Sequence, residues 1–489
     1  MTDSFQKNFD KDLEIGATSP SEHGPTQYFE DSRVVSSQVS RDELPVIDKI
    51  ASTASTIHRT PSQMPPPPAA PMYEPSLAQV ESSKTEEFDF PEGGWKAWGV
   101  VFGSWCAMAA TFGMVNAMGV LQAYLAENQL KEKSDSQISW IFSVYGFLFF
   151  FGGVQVGPIF DTYGLRFVLI PGCIGSILSV FFLSVSKEYY QIMLGFGVLG
   201  GISASLVFTP AIAAVGHWFY VRRGLATGIA ATGGAVGGLV YPMAIRKMLD
   251  ELSFGWTMRV IGFVILLLCI GAVLTLHTRL TPNDKKGASM DLKAFKDPRF
   301  LLATLGTFMV EWGLFVPMNY LTTYALAYGI DSVRAYQMTS YLSVGSILGR
   351  GLPGYFADHF GRFNVMIITA VLAGVFCLTL WMCADGKMGP TVAFAVLFGF
   401  WSGTAICLTP VCISQICKTE DYGKRYGTCY FFVSFGVLTG MPIAGEIMKH
   451  QNGEFSGLIA FSGATYLCGA VFYLAARIVG GGWSLKKIY

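Results

Sequence analysis

The chain has 489 residues, of which 52% are hydrophobic and 14% carry a charged side chain, whereas soluble domains average about 25% charged residues. Its 34 basic and 34 acidic side chains cancel, so the net charge gives no reason to expect a nucleic-acid partner. Apolar runs as long as a bilayer is thick, such as Val260 to Leu276 and Ile367 to Cys383, predict membrane-spanning helices rather than one large soluble core.

Residues 1–90 are the first region along the chain and differ from the rest in composition. They are rich in Ser, Thr, Pro, Glu and Asp and include a proline run from Pro65 to Pro68. Such a composition cannot bury enough apolar surface to offset the entropy lost on ordering, so we predict a disordered cytoplasmic tail. The proline run predicts a polyproline II spacer or, alternatively, a ligand for an SH3 or WW domain of a cytoplasmic partner.

Twelve apolar segments follow and predict twelve membrane spans. In chain order they lie near residues 96–122, 138–160, 167–185, 190–216, 224–246, 257–277, 299–325, 333–357, 365–384, 389–414, 425–448 and 455–478. The longest connection separates the sixth span from the seventh. The sequence therefore predicts an all-α polytopic membrane protein, divided into an N-terminal half at 91–278, a cytoplasmic central loop at 279–298, a C-terminal half at 299–480 and a cytoplasmic tail at 481–489.

Basic residues in the loops predict how the chain is oriented in the membrane. If the N-terminus is cytoplasmic, the inner loops carry Arg166, Arg222, Arg223, Arg362 and the lysines of the central loop, and the outer loops carry fewer basic residues. Both termini are thus expected on the cytoplasmic side. The plasma membrane is the expected location.

The two halves carry corresponding residues at a nearly constant spacing. Asp161 follows the second span and Asp358 follows the eighth, 197 residues later. Pro210 in the fourth span and Pro410 in the tenth are 200 residues apart. A duplicated unit explains these matches most economically and predicts two pseudo-symmetric halves of six helices each.

The loops after the second and eighth spans share a pattern of glycine, aspartate, glycine and arginine. The first contains Gly157, Asp161, Gly164 and Arg166, and the second contains Gly354, Asp358, Gly361 and Arg362. Glycines permit tight turns and close helix contacts, and an aspartate at a helix end can meet an arginine or a helix N-terminus. The pattern resembles the loop signature of the major facilitator superfamily. That resemblance implies gating contacts that break when the two halves rock.

Two narrower motifs precede the first and fifth spans. One consists of Glu92, Gly93, Gly94, Trp95 and Trp98, and the other runs from Trp218 through Arg222 and Arg223 to Ala230. Both resemble signatures of the monocarboxylate-transporter family, and residues 90–480 are most similar to its fungal branch, which includes a riboflavin permease and transporters beside secondary-metabolite genes. The tryptophans also suit the lipid headgroup level, and the arginines also act as inner-loop determinants.

Two ionisable residues fall within predicted spans, where such groups are costly and usually functional. Arg350 in the eighth span aligns with the substrate-binding arginine of the family, and a guanidinium can hold a carboxylate through paired hydrogen bonds. Glu311 in the seventh span is a candidate proton-coupling group or counter-charge to Arg350, since burial favours a neutral carboxyl. The alternatives are an arginine that reaches the interface or pairs with Asp358, and a structural, hydrogen-bonded glutamate.

The sequence departs from the proton-linked lactate carriers at two positions. Asn116 stands where those carriers have a lysine in the first span, and Ser346 stands where they have an aspartate. The resemblance therefore implies a larger, less acidic solute than lactate. Polar residues that could hydrogen-bond this solute, or alternatively pack helices, are Asn116, Gln155, Tyr241, Asn319 and Tyr320.

No motif for enzymatic chemistry is found. The ten cysteines lack a CxxC pair, no nucleophile stands with a base, and His217, His277 and His359 fall at span ends, where we expect them to be solvated. We therefore predict a major facilitator carrier, not an enzyme and without a cofactor. It would move a carboxylate, a riboflavin-like compound or a fungal secondary metabolite, with H⁺ as the candidate coupling ion. The alternative is a non-transporting membrane sensor or scaffold whose N-terminal tail binds a partner.

Overall fold

The computed structural model describes residues 90–279 and 290–483. Within these ranges the chain forms twelve long helical spans and no β-strand. They are α1 Gly94–Glu127, α2 Asp135–Phe151 continued by Gly153–Tyr163, α3 Leu165–Val185, α4 Tyr189–Val215, α5 Arg223–Glu251, α6 Phe254–Thr275, α7 Pro298–Ala327, α8 Ser332–Phe360, α9 Arg362–Trp381, α10 Met388–Gln415, α11 Tyr422–His450 and α12 Ser456–Gly481. The predicted N-terminal tail except Phe90, most of the central loop and residues 484–489 lie outside the described residues.

The length and composition of the helices confirm a multi-pass membrane protein. Eleven of the twelve described spans are long and apolar enough to cross a membrane. The exception is α8, which has 29 residues but carries Arg334, Arg350 and Asp358. Since a helix rises about 1.5 Å per residue, α8 is still longer than the roughly 30 Å hydrocarbon core. All twelve predicted spans are therefore helices of sufficient length.

Glycines in the left-handed region end α2 and α8 at the two loop motifs. Gly164 has a φ of 87° and Gly361 has a φ of 95°, where an L side chain would be strained. The next helix begins at the following residue in both loops. Both motifs therefore turn tightly, as their glycines predict.

The helices pack as two matched groups of six. In the first group α1 packs against α5 and α6, and α3 packs against α4 and α6. In the second group α7 packs against α11 and α12, and α9 packs against α10 and α12. The two groups meet along two seams, one between α5 and α8 and the other between α2 and α11. This arrangement is the pseudo-symmetric fold that the repeated motifs predict.

Glycines bring the backbones of the two halves into contact at both seams. In the α5–α8 seam a Cβ on Gly224 would lie 2.5 Å from the carbonyl oxygen of Gly354. In the α2–α11 seam a Cβ on Gly157 would lie 2.7 Å from the carbonyl carbon of Gly423. Any larger residue would force the helices apart, so the glycines of the loop motifs are required for this close approach.

Candidate functional site

The motif end of the bundle is the end at which α2 meets α3 and α8 meets α9, and there each half binds a helix of the other. Asp358 in α8 accepts hydrogen bonds from the backbone N–H groups of Gly224, at 2.8 Å, and Leu225, at 2.9 Å, in the first turn of α5. Asp161 in α2 accepts one from the N–H of Lys424, at 2.7 Å, in the first turn of α11. A helix N-terminus carries a partial positive charge, so both carboxylates stabilise the closed motif end.

The two loop arginines are placed differently. Arg362, at the start of α9, donates a hydrogen bond to the carbonyl oxygen of Tyr220 in the other half. Its Nε also lies 3.8 Å from the carboxylate of Asp358. Arg166, at the start of α3, is exposed. The motif is therefore symmetric in its aspartates and asymmetric in its arginines.

Glu92 binds the loop that leads into α5. Its Oε1 accepts hydrogen bonds from the N–H groups of Tyr220, at 2.6 Å, and Val221, at 2.7 Å, and its Oε2 accepts one from Arg222, at 3.0 Å. Phe90 stacks on Tyr220 with ring centroids 5.3 Å apart. The two narrower motifs of the sequence are therefore in direct contact.

The other residues of the first motif carry the chain into α1. Gly94 has a φ of 86°, so the bend after Gly93 depends on glycine. Trp95 is 96% exposed, a position that suits a headgroup anchor. Trp98 instead packs edge-on against Phe219, with ring centroids 5.3 Å apart. The two tryptophans therefore have different surroundings.

Arg223 is a buried cation, whereas Arg222 beside it is exposed. The guanidinium of Arg223 donates hydrogen bonds to the carbonyl oxygens of Gly216 and Phe219, just beyond the end of α4. Helix C-termini leave carbonyl groups without donors and attract positive charge. Arg223 therefore joins the start of α5 to the end of α4, in addition to its expected role as an inner-loop charge.

The three histidines at span ends differ in exposure. His277 and His359 are exposed, as predicted, but the prediction for His217 is wrong, since its side chain is buried against Phe160. Burial, together with the nearby positive charge of Arg223, lowers the pKa of His217 to about 3. His217 is therefore neutral at physiological pH. In the described part of the chain no three His, Cys, Asp or Glu side chains are grouped to hold a metal ion.

A narrow cavity lies between the halves, bounded by α1, α5, α7, α8 and α10. Its polar lining residues are Asn116, Ser343, Ser346, Arg350 and Ser402. The space has room for about one water molecule. A molecule larger than water would therefore fit here only if the halves separated at this level.

Arg350 is buried in this cavity and held from both halves. Its Nε donates to Ser346 Oγ at 3.2 Å, and its Nη1 donates to the carbonyl oxygen of Ala231 in α5 at 2.8 Å. The guanidinium carbon lies 5.2 Å from the centre of the Phe112 ring, within cation–π range. Among the described residues none accepts a hydrogen bond from Nη2. Arg350 therefore faces the cavity and is not paired with Asp358.

Glu311 is buried in α7, within electrostatic reach of Arg350. The residues that the structure describes offer its carboxyl no hydrogen-bond partner. Tyr426 and Tyr430 of α11 and Tyr466 of α12 lie near it. Glu311 is therefore a buried carboxyl surrounded by tyrosine side chains, and burying such a group is costly unless a partner binds it.

A chain of hydroxyl groups continues from Glu311 toward the motif end. Thr307 lies one helical turn before Glu311, and its hydroxyl is 2.8 Å from that of Tyr473. The Tyr473 hydroxyl is in turn 3.4 Å from Thr409 in α10. Polar side chains therefore extend inside the second half, beside the cavity rather than within it.

Of the six solute-binding candidates from the sequence, the structure brings two to the cavity, Asn116 and Arg350. Tyr320 donates to the backbone of α11, and Asn319 is exposed and donates to a carbonyl of its own helix. Tyr241 is buried against α1. These three residues, and Gln155, which is exposed on α2, do not line the cavity in this conformation.

Two cavity residues, Ser343 and Ser402, are absent from the sequence-based candidates. Ser343, Ser346 and Arg350 recur at the spacing of one helical face, so this pattern could have identified Ser343. Ser402 lies on α10 beside Gly403, where a Cβ would be 2.8 Å from Ser346 Oγ. That approach of α10 to α8 has no signal in the local sequence.

Comparison with known proteins identifies the family. Residues 100–420 and 338–483 match the profile of the Major Facilitator Superfamily. The chain is 37% identical over 419 residues to an MFS transporter of Aspergillus flavus, covering 85% of this chain and 95% of the relative. It is 35% identical over 421 residues to a riboflavin transporter of Saccharomyces cerevisiae, covering 81% of each. It is 36% identical over 404 residues to the fujikurins efflux protein of Gibberella fujikuroi, covering 82% of this chain and 86% of the relative. The chain therefore belongs to the major facilitator superfamily, in the fungal branch of its transporters.

Proposed function

We propose that this protein is a secondary active transporter of the monocarboxylate-transporter-like kind, which moves a small organic solute by alternating access. Its solute belongs to the range of carboxylates, riboflavin-like compounds and fungal secondary metabolites, and riboflavin and the fujikurins appear in the names of its relatives. The protein lies in the plasma membrane with both termini in the cytoplasm. The observation that carries the proposal is the buried guanidinium of Arg350 in the cavity between the halves.

The lining of the cavity supports recognition of an organic anion. Two nitrogens of Arg350 are fixed by Ser346 and Ala231, so the guanidinium is oriented before a solute arrives. A buried cation is costly unless an anion approaches it, and a planar fork suits a carboxylate. Apolar side chains such as Leu314 and Met318 complete the lining, which is the usual composition of a small-molecule site.

Access to this site alternates through the contacts at the motif end. With Asp161 and Asp358 bound to the N-termini of α11 and α5, the cavity is closed on the cytoplasmic side. Release to that side requires both carboxylates to leave those helices as the halves rock. The two aspartates of the gating motif therefore hold the cytoplasmic side closed through hydrogen bonds that form and break in each transport cycle.

Glu311 is the proposed proton-coupling group. It is buried near Arg350 without a hydrogen-bond partner among the described residues. When Glu311 is ionised it competes with the solute for Arg350, and when it is protonated Arg350 is available to the solute. Binding of a proton thus favours binding of the anion, which is the requirement for symport.

The experiment starts from cells that express the wild type or the Arg350→Ala variant at equal surface amounts. An untargeted comparison of intracellular and extracellular metabolites identifies the solute whose distribution depends on Arg350. Flux of that solute is then measured in proteoliposomes. Arg350→Lys keeps the charge but loses the planar guanidinium that can donate two parallel hydrogen bonds to a carboxylate. We therefore expect kcat/KM to fall about 10- to 150-fold, the equivalent of one charged hydrogen bond. Full activity of Arg350→Lys would refute bidentate recognition, and solute binding without flux would favour a sensor.

The coupling role is tested with Glu311→Gln in the same proteoliposomes. The variant should lose proton-driven accumulation of the solute and retain counterflow exchange, which needs no net proton movement. The matched control is Glu446→Gln in α11, because the Glu446 side chain is 58% exposed; it should accumulate solute normally. Proton-driven accumulation of the solute by Glu311→Gln would show that Glu311 does not couple transport to the proton gradient.

A further inference from the structure

The first turn of α5 lacks a cap of its own. Its N-cap residue is Arg222, and the side chain of Arg222 makes no cap hydrogen bond. The first four N–H groups of a helix have no partner within the helix and need acceptors from elsewhere. Here the acceptors are two carboxylates, Glu92 from the same half and Asp358 from the other.

The two carboxylates bind adjacent parts of one short segment. Glu92 holds the N–H groups of Tyr220, Val221 and Arg222, and Asp358 holds those of Gly224 and Leu225, as described above. The orientation of residues 220–222 therefore affects where the N–H groups of Gly224 and Leu225 point. We propose that Glu92 is a positioning residue of the gate, which presents the N-terminus of α5 to Asp358 and so stabilises the closed motif end.

The segment fixed by Glu92 also carries the second contact between the halves. The N–H of Tyr220 is bound by Glu92, and its carbonyl oxygen accepts a hydrogen bond from Arg362 of the other half. Arg362 in turn lies 3.8 Å from the carboxylate of Asp358. Loss of the Glu92 contacts would therefore loosen the partners of Arg362 and Asp358 together.

The corresponding position in the second half is built differently. Before α7, Asp291 lies 3.5 Å from the side chain of Arg425 in α11, not at backbone N–H groups of that helix. The N–H of Asp291 donates to Thr428 Oγ1 at 3.2 Å. This ion pair is partly exposed, and such pairs stabilise little. Among the described residues, Asp291 therefore does not position α11 in the way that Glu92 positions the α5 gate, which is the contact of Asp358 with the N–H groups of Gly224 and Leu225.

This inference rests on the proposed alternating access and predicts a change in the population of states. Glu92→Gln keeps the length of the side chain but loses the charge and one of the two acceptor oxygens. We expect the population that is open at the motif end to rise about 5- to 20-fold. Glu92→Asp keeps the charge with a shorter reach and should give a smaller rise. A merely structural role would lower the amount of folded protein and leave the populations of the folded fraction unchanged.

The populations are measured by electron–electron double resonance on the full chain in lipid nanodiscs. Spin labels are attached at Tyr163→Cys and Phe360→Cys, since both residues are exposed at the motif end and lie on opposite halves. The exposed Cys383 and Cys468 are replaced by serine. A longer inter-label distance reports the open motif end, and no solute is needed for this measurement.

A double-mutant cycle separates the proposed path from general loosening. If Glu92 acts through Asp358, then Glu92→Gln should change the populations by less than about fivefold in an Asp358→Asn background, where only the contact of Arg362 with the Tyr220 carbonyl remains for it to loosen. In an Asp161→Asn background, which affects the other gate, its effect should stay about 5- to 20-fold. Equal effects in both backgrounds, or no effect in either, would overturn the proposal.

The same labels distinguish failure of the positioning role from failure of alternating access. If Asp358→Asn opens the motif end and Glu92→Gln does not, the positioning role is wrong and alternating access stands. If the chain with both Asp161→Asn and Asp358→Asn never opens there, both proposals are overturned. The Asp291→Asn variant serves as the matched control and should leave the α5 gate unchanged.

Discussion

Replacing Asp358 by asparagine tests how much one carboxylate stabilises the closed motif end. Asp358 accepts two backbone hydrogen bonds from the first turn of α5, at 2.8 and 2.9 Å, and its carboxylate lies 3.8 Å from Arg362. Asparagine has nearly the same size and one acceptor oxygen. It can therefore keep one of the two bonds, but it loses the charge and turns an NH₂ group toward the other donor.

The magnitude follows from these contacts. Removal of a negative charge from a helix N-terminus costs about 0.3–1 kcal/mol, and up to about 2 when the site is partly buried. A hydrogen bond to a charged group contributes about 1.5–3 kcal/mol. The two effects overlap, and the remaining oxygen keeps one bond, so we expect a loss of about 2 kcal/mol of closed-state stability. Since 1.4 kcal/mol is a factor of ten, the closed-to-open ratio should fall about 30-fold.

The assay is the distance between spin labels on the two halves at the motif end. Asp331→Asn is the matched control, because Asp331 precedes the other end of α8 and its side chain makes no cap hydrogen bond. It should leave the distance distribution unchanged. A change of less than twofold in the closed-to-open ratio of folded Asp358→Asn would refute the view that this carboxylate clamps α5.

Two further predictions concern the seam and the buried histidine. Gly354→Ala should raise the open population at least about tenfold, measured with the same spin labels, because its Cβ would lie 3.0 Å from the Gly224 carbonyl carbon. Gly389→Ala is the control and should leave the open population unchanged, because no atom lies within 4 Å of a Cβ at Gly389. His217→Gln should reduce the loss of unfolding free energy on acidification. Below about pH 6.5 His217 is protonated in the unfolded state but stays neutral in the folded state, where its pKa is about 3. Between pH 7 and pH 5 the free energy of unfolding should therefore fall by about 2 kcal/mol more in the wild type than in His217→Gln, as measured by thermal unfolding. Equal losses would contradict neutral burial.

The fold could be predicted from the sequence because a bilayer sets the length of its helices. Each apolar run long enough to cross corresponds to one helical span, and the segment predicted at 333–357 corresponds to α8 despite its charged residues. The aspartates of the gate could also be placed, since a glycine turn follows each one and fixes it at a helix end. Periodicity and turn chemistry are local properties, and local properties can be read from a sequence.

The partners across the bundle could not be predicted in the same way. The contact between Glu92 and the α4–α5 loop joins residues about 130 positions apart, and nothing local indicates it. Asn116 and Asn319 look alike as polar residues in matching spans, but only Asn116 lines the cavity. Asn319 is exposed and donates to the carbonyl oxygen of Phe315 in its own helix. Residue type and span therefore do not decide which amide faces the cavity.

The cavity and the α5 gate are linked by one short stretch of α8. Arg350 and Asp358 lie eight residues apart on that helix, about 12 Å along its axis. Between them is Pro353, which has no N–H to donate to the carbonyl oxygen of Gly349. That oxygen instead accepts a hydrogen bond from Thr404 of α10 at 3.0 Å. The helix therefore lacks one backbone hydrogen bond between the proposed solute-binding residue Arg350 and the proposed gating residue Asp358, and α10 supports it there. We propose that a solute that moves Arg350 acts on Asp358 through this stretch.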